Sequence, residues 1–332
     1  MRLARIAIGV TVMVAASGMA VRPAWQWRSL PPTVSAPIVP NGNTISAAKV
    51  ALGRRLFYDR MLSKDGSMAC ADCHQQARGF TDGQPVHRGV TGEMGIRNVP
   101  GLANVGWRTQ MTWTNPGVAT LEEQALIPMT GTKPVEMGLA GHEAITAERL
   151  VTDSCYRRLF PAAFPGAAKM DLKKIAIAIS MFERTLISFG SPWDRKTALP
   201  LARRGAAQFH AAGCASCHSG VNFTDDKVHY VGTAALGEVD NSAYGGKALP
   251  PGFEPPAEQF RTPSLRNVEV TGPWLHDGSS ASVEDAIRRH ASAGLSNADM
   301  PALMAFLASL TDKAFLTDPK FGSSAPACPT AR

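Results

Sequence analysis

The chain has 332 residues, 45% of them hydrophobic and 18% charged, with six cysteines and a formal net charge of +7. That length supplies ample core for two domains or one large one, and the composition excludes a disordered chain, a collagen and a disulfide-dense mini-protein. Past the first residues no apolar run approaches the ~18 residues of a membrane span, which excludes a polytopic membrane protein.

Arg2 and Arg5 precede an apolar run from Ile6 to Ala20 that closes on Ala16-Ser17-Gly18-Met19-Ala20. This is the order of a secretory signal. Residues 1–20 are expected to be cleaved, with an uncleaved anchor as the alternative, and residues 21–43 read as an N-terminal extension. Export places the chain in an oxidising compartment, the periplasm, with no stable membrane span after cleavage. A helix around Leu52-Gly-Arg54-Arg55-Leu-Phe57 leads to Cys70-Ala-Asp-Cys73-His74, then Phe80-Thr-Asp82. Between Asp171 and Phe189, Ile175, Ile179, Phe182 and Leu186 form one helical stripe. Leu201-Ala-Arg203-Arg204 and Phe209 then lead to Cys214-Ala-Ser-Cys217-His218 and Phe223-Thr-Asp225, a weak repeat of the first unit. Gly232–Pro256, rich in Gly and Pro, reads as a long loop. A helix opens after Gly278-Ser-Ser-Ala-Ser282, with Glu284 and Asp285 in its first turn, and Met300–Leu310 is a final apolar helix. Strand signal is almost absent.

Both Cys pentads are C-x-x-C-H, the attachment signal for c-type haem. Each thiol adds to one vinyl group, and the adjacent His74 or His218 supplies an axial nitrogen to the iron. One such pentad arises by chance about 0.003 times in a chain of this composition. A zinc site or a redox dithiol needs no His after the second Cys, twice over. The expected fold is mostly α: two cytochrome c-like domains, residues 44–196 and 197–321, with long loops and a tail at 322–332. Cys155 and Cys328 are left over, either as a disulfide or as two buried thiols.

Around these motifs the sequence resembles the bacterial di-haem cytochrome c peroxidase/MauG superfamily. The likeness runs from about Ala48 to Phe321. It is carried by Leu52–Asp59, Gly95-Ile-Arg97-Asn98, Leu121-Glu-Glu-Gln124-Ala, Val135-Glu136-Met137-Gly138, Phe182-Glu183-Arg184-Thr185-Leu186, and Thr262-Pro-Ser-Leu-Arg266-Asn267 through His276-Asp-Gly278. Thr112-Trp113-Thr-Asn115-Pro116, Pro134–Gly141 and Ala314–Phe321 are most similar to the methanobactin-associated MbnH group.

The resemblance implies roles for particular residues. The first haem would be peroxidatic and the second an electron relay, both near the domain interface. Asn98, with the backbone carbonyls of Thr271 and Pro273, would hold a calcium ion between the haems. Trp113 would be the inter-haem tryptophan. Gln124 and Glu136 would line the distal side of the first haem, with Glu136 as acid–base. The spacing between those two is longer than in many relatives, so Glu122 or Glu123 is the fallback, both more naturally placed on an exposed helix. Where many relatives carry a His that caps the first haem, this chain has Val90; His87 is the runner-up ligand. Where relatives place Met or Tyr on the second haem, this chain has His290, sharing a helical face with Val283, Ala286 and Ile287. His276 is expected beside the second haem or its propionates. His142, His210 and His229 are expected on the solvated surface. The exit route for oxidising equivalents is open among Trp107, Trp193 and Trp274, since Ala212 stands where MauG has its exit tryptophan.

The function so implied is a di-haem enzyme that uses hydrogen peroxide to reach a high-valent di-haem state. That state would modify a tryptophan of a partner copper-binding protein of the MbnP type, towards kynurenine. The alternatives are a peroxidase that draws electrons from a small cytochrome or cupredoxin, and a non-enzymatic di-haem electron carrier. No nucleic-acid partner is expected. Removing Arg2 and Arg5 and adding four haem propionates leaves a net charge of about +1, so docking must rest on local patches.

Overall fold

The computed structural model describes residues 25–27, 30–230, 259–290 without the side chain of His290, and 295–323. The expected signal peptide, the Gly/Pro-rich loop and Cys328 lie outside the described residues.

The chain is mostly helical and folds as two cytochrome c-like units. In the first, α1 (Ala47–Phe57) runs to the one-turn α2 (Cys70–Cys73), followed by α3 (Leu121–Thr130), α4 (Glu143–Leu150), α5 (Ser154–Ala163) and α6 (Leu172–Glu183). In the second, α7 (Pro200–Ala211) precedes the second pentad, and α8 (Val283–His290), α9 (Met300–Ala308) and α10 (Lys313–Thr317) follow it. Helix starts are set by side chains that satisfy free backbone N–H groups. Ser46 caps α1, Thr120 caps α3 and Asp171 caps α6, while Pro200 opens α7 at a position that needs no N–H. The stripe Ile175, Ile179, Phe182 and Leu186 is buried throughout. The helix itself stops at Glu183, and Leu186 reaches the core from the turn beyond. The final apolar helix ends at Ala308 rather than Leu310.

Each unit is organised by one close helix crossing. α1 packs on α6 and α7 packs on α9. At the crossings a Cβ on Gly53 would lie 1.7 Å from the Ala178 carbonyl oxygen, and one on Gly205 would lie 1.8 Å from that of Ala302. Only glycine lets the backbones approach this far. Phe57 and Phe209, each four residues after its glycine, are buried beneath the crossings. The repeat is therefore Gly-x-x-x-Phe, and the Arg-Arg pairs do not superpose.

Two further turns repeat. Asn104 and Asn267 both adopt left-handed backbone, φ 54° and 60°, ahead of short 3-10 turns. Both meet Ser188 at the junction: Asn104 Oδ1 accepts from Ser188 N–H at 2.7 Å, and Asn267 Nδ2 donates to Ser188 Oγ at 3.1 Å. Asp312 Oδ2 accepts from Gly190 N–H at 2.8 Å. Buried polar groups that are all partnered in this way fix one arrangement of the two units.

In keeping with the weak strand signal, strand among the described residues is limited to a two-stranded antiparallel ribbon, β1 (Val228–Tyr230) against β2 (Gln259–Arg261). Each strand is only three residues long, too short for an alternating pattern to register. Cys155 is buried and disulfide-bonded, whereas Cys70, Cys73, Cys214 and Cys217 are in no disulfide.

Candidate active site: two haem cavities

The first cavity is lined by Cys70, Cys73 and His74 together with Gln124, Pro128, Glu136, Ile179, Glu183 and Arg108. The one-turn helix that carries the thiols is held by Asp72, whose carboxylate accepts from Ala69 N–H at 2.7 Å. His74 Nδ1 lies 2.8 Å from the carbonyl oxygen of Phe80. Donation to that carbonyl fixes the tautomer and leaves Nε2 for a metal. Burial pushes the His74 imidazolium down to about 4 and the Cys70 thiol up to about 12, so at neutral pH the ring is a neutral ligand. The second pentad repeats the device: His218 Nδ1 lies 3.2 Å from the Phe223 carbonyl. Both accepting residues stand in left-handed backbone, φ 67° at Phe80 and 50° at Phe223. A bulky side chain pays for that conformation only where the surroundings hold it.

Gln124 and Glu136 both line this cavity. α3 presents Gln124, whose buried Oε1 has no hydrogen-bond partner. The loop carrying Glu136 is pinned by backbone bonds: Val90 N–H to Glu136 O at 2.8 Å, Lys64 N–H to Met137 O at 2.9 Å and Met137 N–H to Pro128 O at 2.9 Å. The longer spacing between Gln124 and Glu136 is absorbed in this loop and does not carry Glu136 away. Burial raises the Glu136 pKa, and nearby His87 partly opposes the shift.

The fallback acids are engaged elsewhere. Glu122 was expected on an exposed helix, but it takes both arms of Arg184, at 2.8 and 2.9 Å. Arg184 is only 3% exposed, and a buried guanidinium requires that carboxylate. Glu123 accepts from Ala119 N–H at 3.2 Å and so closes the start of α3. His87 pairs with buried Asp82 at 2.9 Å and does not line the cavity.

The second cavity is larger, about 520 Å³, against about 70 Å³ for the first; seating a haem in the first requires its lining side chains to part. Cys214, Cys217, His218, Trp274, Ile287 and Leu303 line the larger one. Trp113, Asn98, Thr271 and Pro273 lie in its wall, so the residues expected between the haems are brought together. Trp113 Nε1 donates to the Asn98 carbonyl at 2.8 Å. The Asn98 amide donates to the carbonyls of Gln84 and Pro85 at 2.9 and 3.2 Å, which turns its oxygen the other way. An amide oxygen with two backbone carbonyls suits calcium, which accepts neutral oxygens and water.

His276 is 3% exposed, and neither ring nitrogen has a hydrogen-bond partner. It stacks on Phe260 with ring centroids 3.7 Å apart. Burial pushes its imidazolium down to about 4. α8 buries Val283, Ala286 and Ile287 on one face and turns Arg288 and Arg289 outward, paired with Glu284 and Asp285. The side chain of His290, at the end of that helix, lies outside the described residues. His229 departs from its expected place on open surface. It pairs with Asp225 at 2.7 Å and lines the second cavity, because β1 folds back over it.

Paired cysteines uncommitted to disulfides beside each histidine, imidazole nitrogens aimed by backbone carbonyls, apolar walls and orphaned polar atoms all fit covalently bound haem. Sequence reasoning missed Glu183, Arg108 and Arg261. All three line these cavities, and only Glu183 had a signal, an acid within an otherwise apolar helical stripe.

The match to known proteins agrees. Residues 47–198 match the family model described as di-haem cytochrome c peroxidase, and residues 202–311 match that of cytochrome c. The methylamine utilization protein MauG of Methylorubrum extorquens is 36% identical over 77% of this chain and 72% of its own. The cytochrome c551 peroxidase of Nitrosomonas europaea is 31% identical over 80% of each. A solved MauG-like protein associated with microbial copper homeostasis is 33% identical, with a TM-score of 0.81 over 91% of this chain and 99% of that one. This chain belongs to the di-haem cytochrome c peroxidase/MauG family, as an oxidoreductase with two covalently bound haem c groups.

Proposed function

We propose that the protein is a periplasmic enzyme that uses hydrogen peroxide to oxidise a tryptophan on a docked copper-binding protein, towards kynurenine. The observation that carries this reading is the first cavity. A buried carboxyl and an amide with an unpartnered oxygen face the first pentad, and Val90 stands where many relatives carry a capping histidine. The copper-associated MauG-like neighbour supports the choice of partner. No helix among the described residues is long and apolar enough to cross a membrane.

Haem bound through Cys70, Cys73 and His74 supplies a redox iron at which peroxide is reduced. Glu136 takes the proton from one peroxide oxygen and delivers it to the other as it leaves. Its raised pKa brings it closer to neutral pH, where acid and base roles balance. Gln124 holds the peroxide through its side-chain amide. Trp113, fixed by Asn98 and lying against the second cavity, divides the passage of charge between the two centres into shorter steps. Asn98, Thr271 and Pro273 would hold calcium, and Asn98 would thereby brace Trp113 through its carbonyl. His218 and His290 would hold the second haem, whose chemistry would be electron relay rather than peroxide reduction, and His276 would stand beside that haem or its propionates. The cavities admit small molecules, so the partner's tryptophan is oxidised across the protein surface.

A peroxidase fed by a small cytochrome or cupredoxin is the second reading, favoured by the 31% identity to a cytochrome c551 peroxidase. Adding stoichiometric peroxide to the ferric holoenzyme separates the two. A long-lived, two-electron-oxidised protein in visible and near-infrared spectra, with oxygen added to a partner tryptophan by mass spectrometry, is the expected result. No reaction until one haem has been reduced assigns the peroxidase function.

A further inference from the structure

Two guanidinium groups lie buried where the haem cavities meet. Arg261 is 1% exposed. Its Nε donates to Thr112 O and its Nη1 to Thr262 O, both at 3.1 Å, while Nη2 reaches no acceptor. Arg108 is also buried and donates through Nη2 to Gly101 O at 2.6 Å. Arg261 lines the second cavity, and Arg108 lines both. Burial, reinforced by Arg261, pushes Arg108 down to about 9, still well above neutrality, and burial lowers Arg261 while Asp226 opposes the shift; a guanidinium remains protonated in proteins.

Among the described residues one carboxylate stands against this pair of cations: Asp226 Oδ1 pairs with Arg261 Nη1 at 3.5 Å, while its Oδ2 accepts from Thr109 N–H, Thr109 Oγ and Gln110 N–H, so its single negative charge offsets one of the two guanidinium groups. Glu183 faces the first cavity, and burial pushes it up to about 8, which leaves it mainly neutral at pH 7. A buried cation without a full counterion is costly, and a guanidinium fork matches a carboxylate.

We propose that Arg108 and Arg261 form a carboxylate site for haem propionates, with Arg108 shared by both haems and Arg261 serving the second alone. The shared cation couples the two potentials: a positive charge at the haem edge favours the more negative, reduced haem. The inference rests on the two covalent haems and not on the tryptophan reading.

The test is a spectroelectrochemical titration of purified holoenzyme carrying Arg108→Gln or Arg261→Gln, with haem content checked by pyridine haemochrome. Arg261→Gln should lower the potential of the second haem only, and Arg108→Gln should lower both. Two-haem Arg108→Gln protein in which only one potential moves, or neither, overturns the proposal. Should that variant fail to mature with two haems, Arg108→Lys decides. It keeps the charge but loses the fork, so both potentials should stay near wild type while the propionate bending modes in resonance Raman spectra shift. Wild-type propionate modes in Arg108→Lys overturn the assignment.

Discussion

Glu136→Gln is the sharpest perturbation of the proposed chemistry, because it keeps the shape of the side chain and removes only its basicity. General acid–base catalysis contributes about 10²–10⁴-fold, or about 2.7–5.5 kcal/mol of barrier at ~1.4 kcal/mol per decade. The surroundings place this site toward the upper part of that range. Glu122 is committed to Arg184 and Glu123 to the start of α3. Glu183, the other acid lining the cavity, is held up at about 8 by burial, so at pH 7 it is mainly protonated and a poor base. The expected loss is therefore about 10³-fold or more at pH 7, read by stopped-flow mixing of ferric holoenzyme with peroxide. The sign of the pH dependence follows. In the wild type the rate rises as Glu136 ionises, above the ordinary carboxylate range because burial raises its pKa. In the variant the residual rate should instead climb as pH passes about 8 and Glu183 loses its proton. A loss of less than tenfold at pH 7, with both haems in place, refutes the role given to Glu136.

Three further outcomes follow from the geometry. Gly205→Ala forces a methyl to within 1.8 Å of the Ala302 carbonyl and should destabilise the second unit by at least the ~1–3 kcal/mol of core overpacking; thermal unfolding followed at the haem bands should show the lower midpoint, and an unchanged midpoint counts against the close crossing. Arg184→Met strands Glu122 and should cost about 3–5 kcal/mol, most of it recovered in the double variant with Glu122→Gln; in denaturant titration, a double variant no more stable than Arg184→Met contradicts the pairing. Removing calcium with a chelator should disturb Asn98, and with it the 2.8 Å bond from Trp113, slowing charge exchange between haems after peroxide addition. Unaltered exchange in protein shown by metal analysis to be calcium-free argues against the site.

Much of this molecule is local chemistry, and local chemistry is legible in one sequence. The pentads announce themselves because thioether attachment demands two thiols and a histidine at fixed spacing. The apolar stripe of α6 is readable because helix burial imposes its period. What stayed hidden depends on distant partners. Glu122 reads as an exposed acid until α6 brings Arg184 against it from 62 residues away. Arg108 and Arg261 look like surface cations until two cavities close around them. The Gly-x-x-x-Phe repeat was masked by the nearby Arg-Arg pairs, which resemble each other but do not occupy equivalent places. A comparison of Pro100-Gly-Leu-Ala-Asn104-Val with Pro263-Ser-Leu-Arg-Asn267-Val would have exposed the paired turns that meet Ser188.

The repeat also explains how one fold makes two unlike centres. Both units supply the same proximal cradle: a close glycine crossing, a phenylalanine beneath it, a Cys pair and a histidine aimed by a left-handed phenylalanine carbonyl. Those features are set within each unit and were free to stay alike. The opposite walls differ in origin. In the first unit α3 and a pinned loop bring Gln124 and Glu136 into a tight, acid-bearing space. In the second, α8, His276 and the ribbon build a wider one that is lined by imidazoles and guanidinium groups and carries no acid. On the proposed function, the division of labour between the haems resides on the distal sides. Exchanging proximal residues between units should alter stability more than role, whereas Val90→His, on the turn whose backbone donates to the Glu136 carbonyl, should convert the first centre toward a capped one. A low-spin ferric spectrum at that haem, with slowed peroxide reaction, is the expected sign; an unchanged high-spin spectrum would place the difference between the units elsewhere.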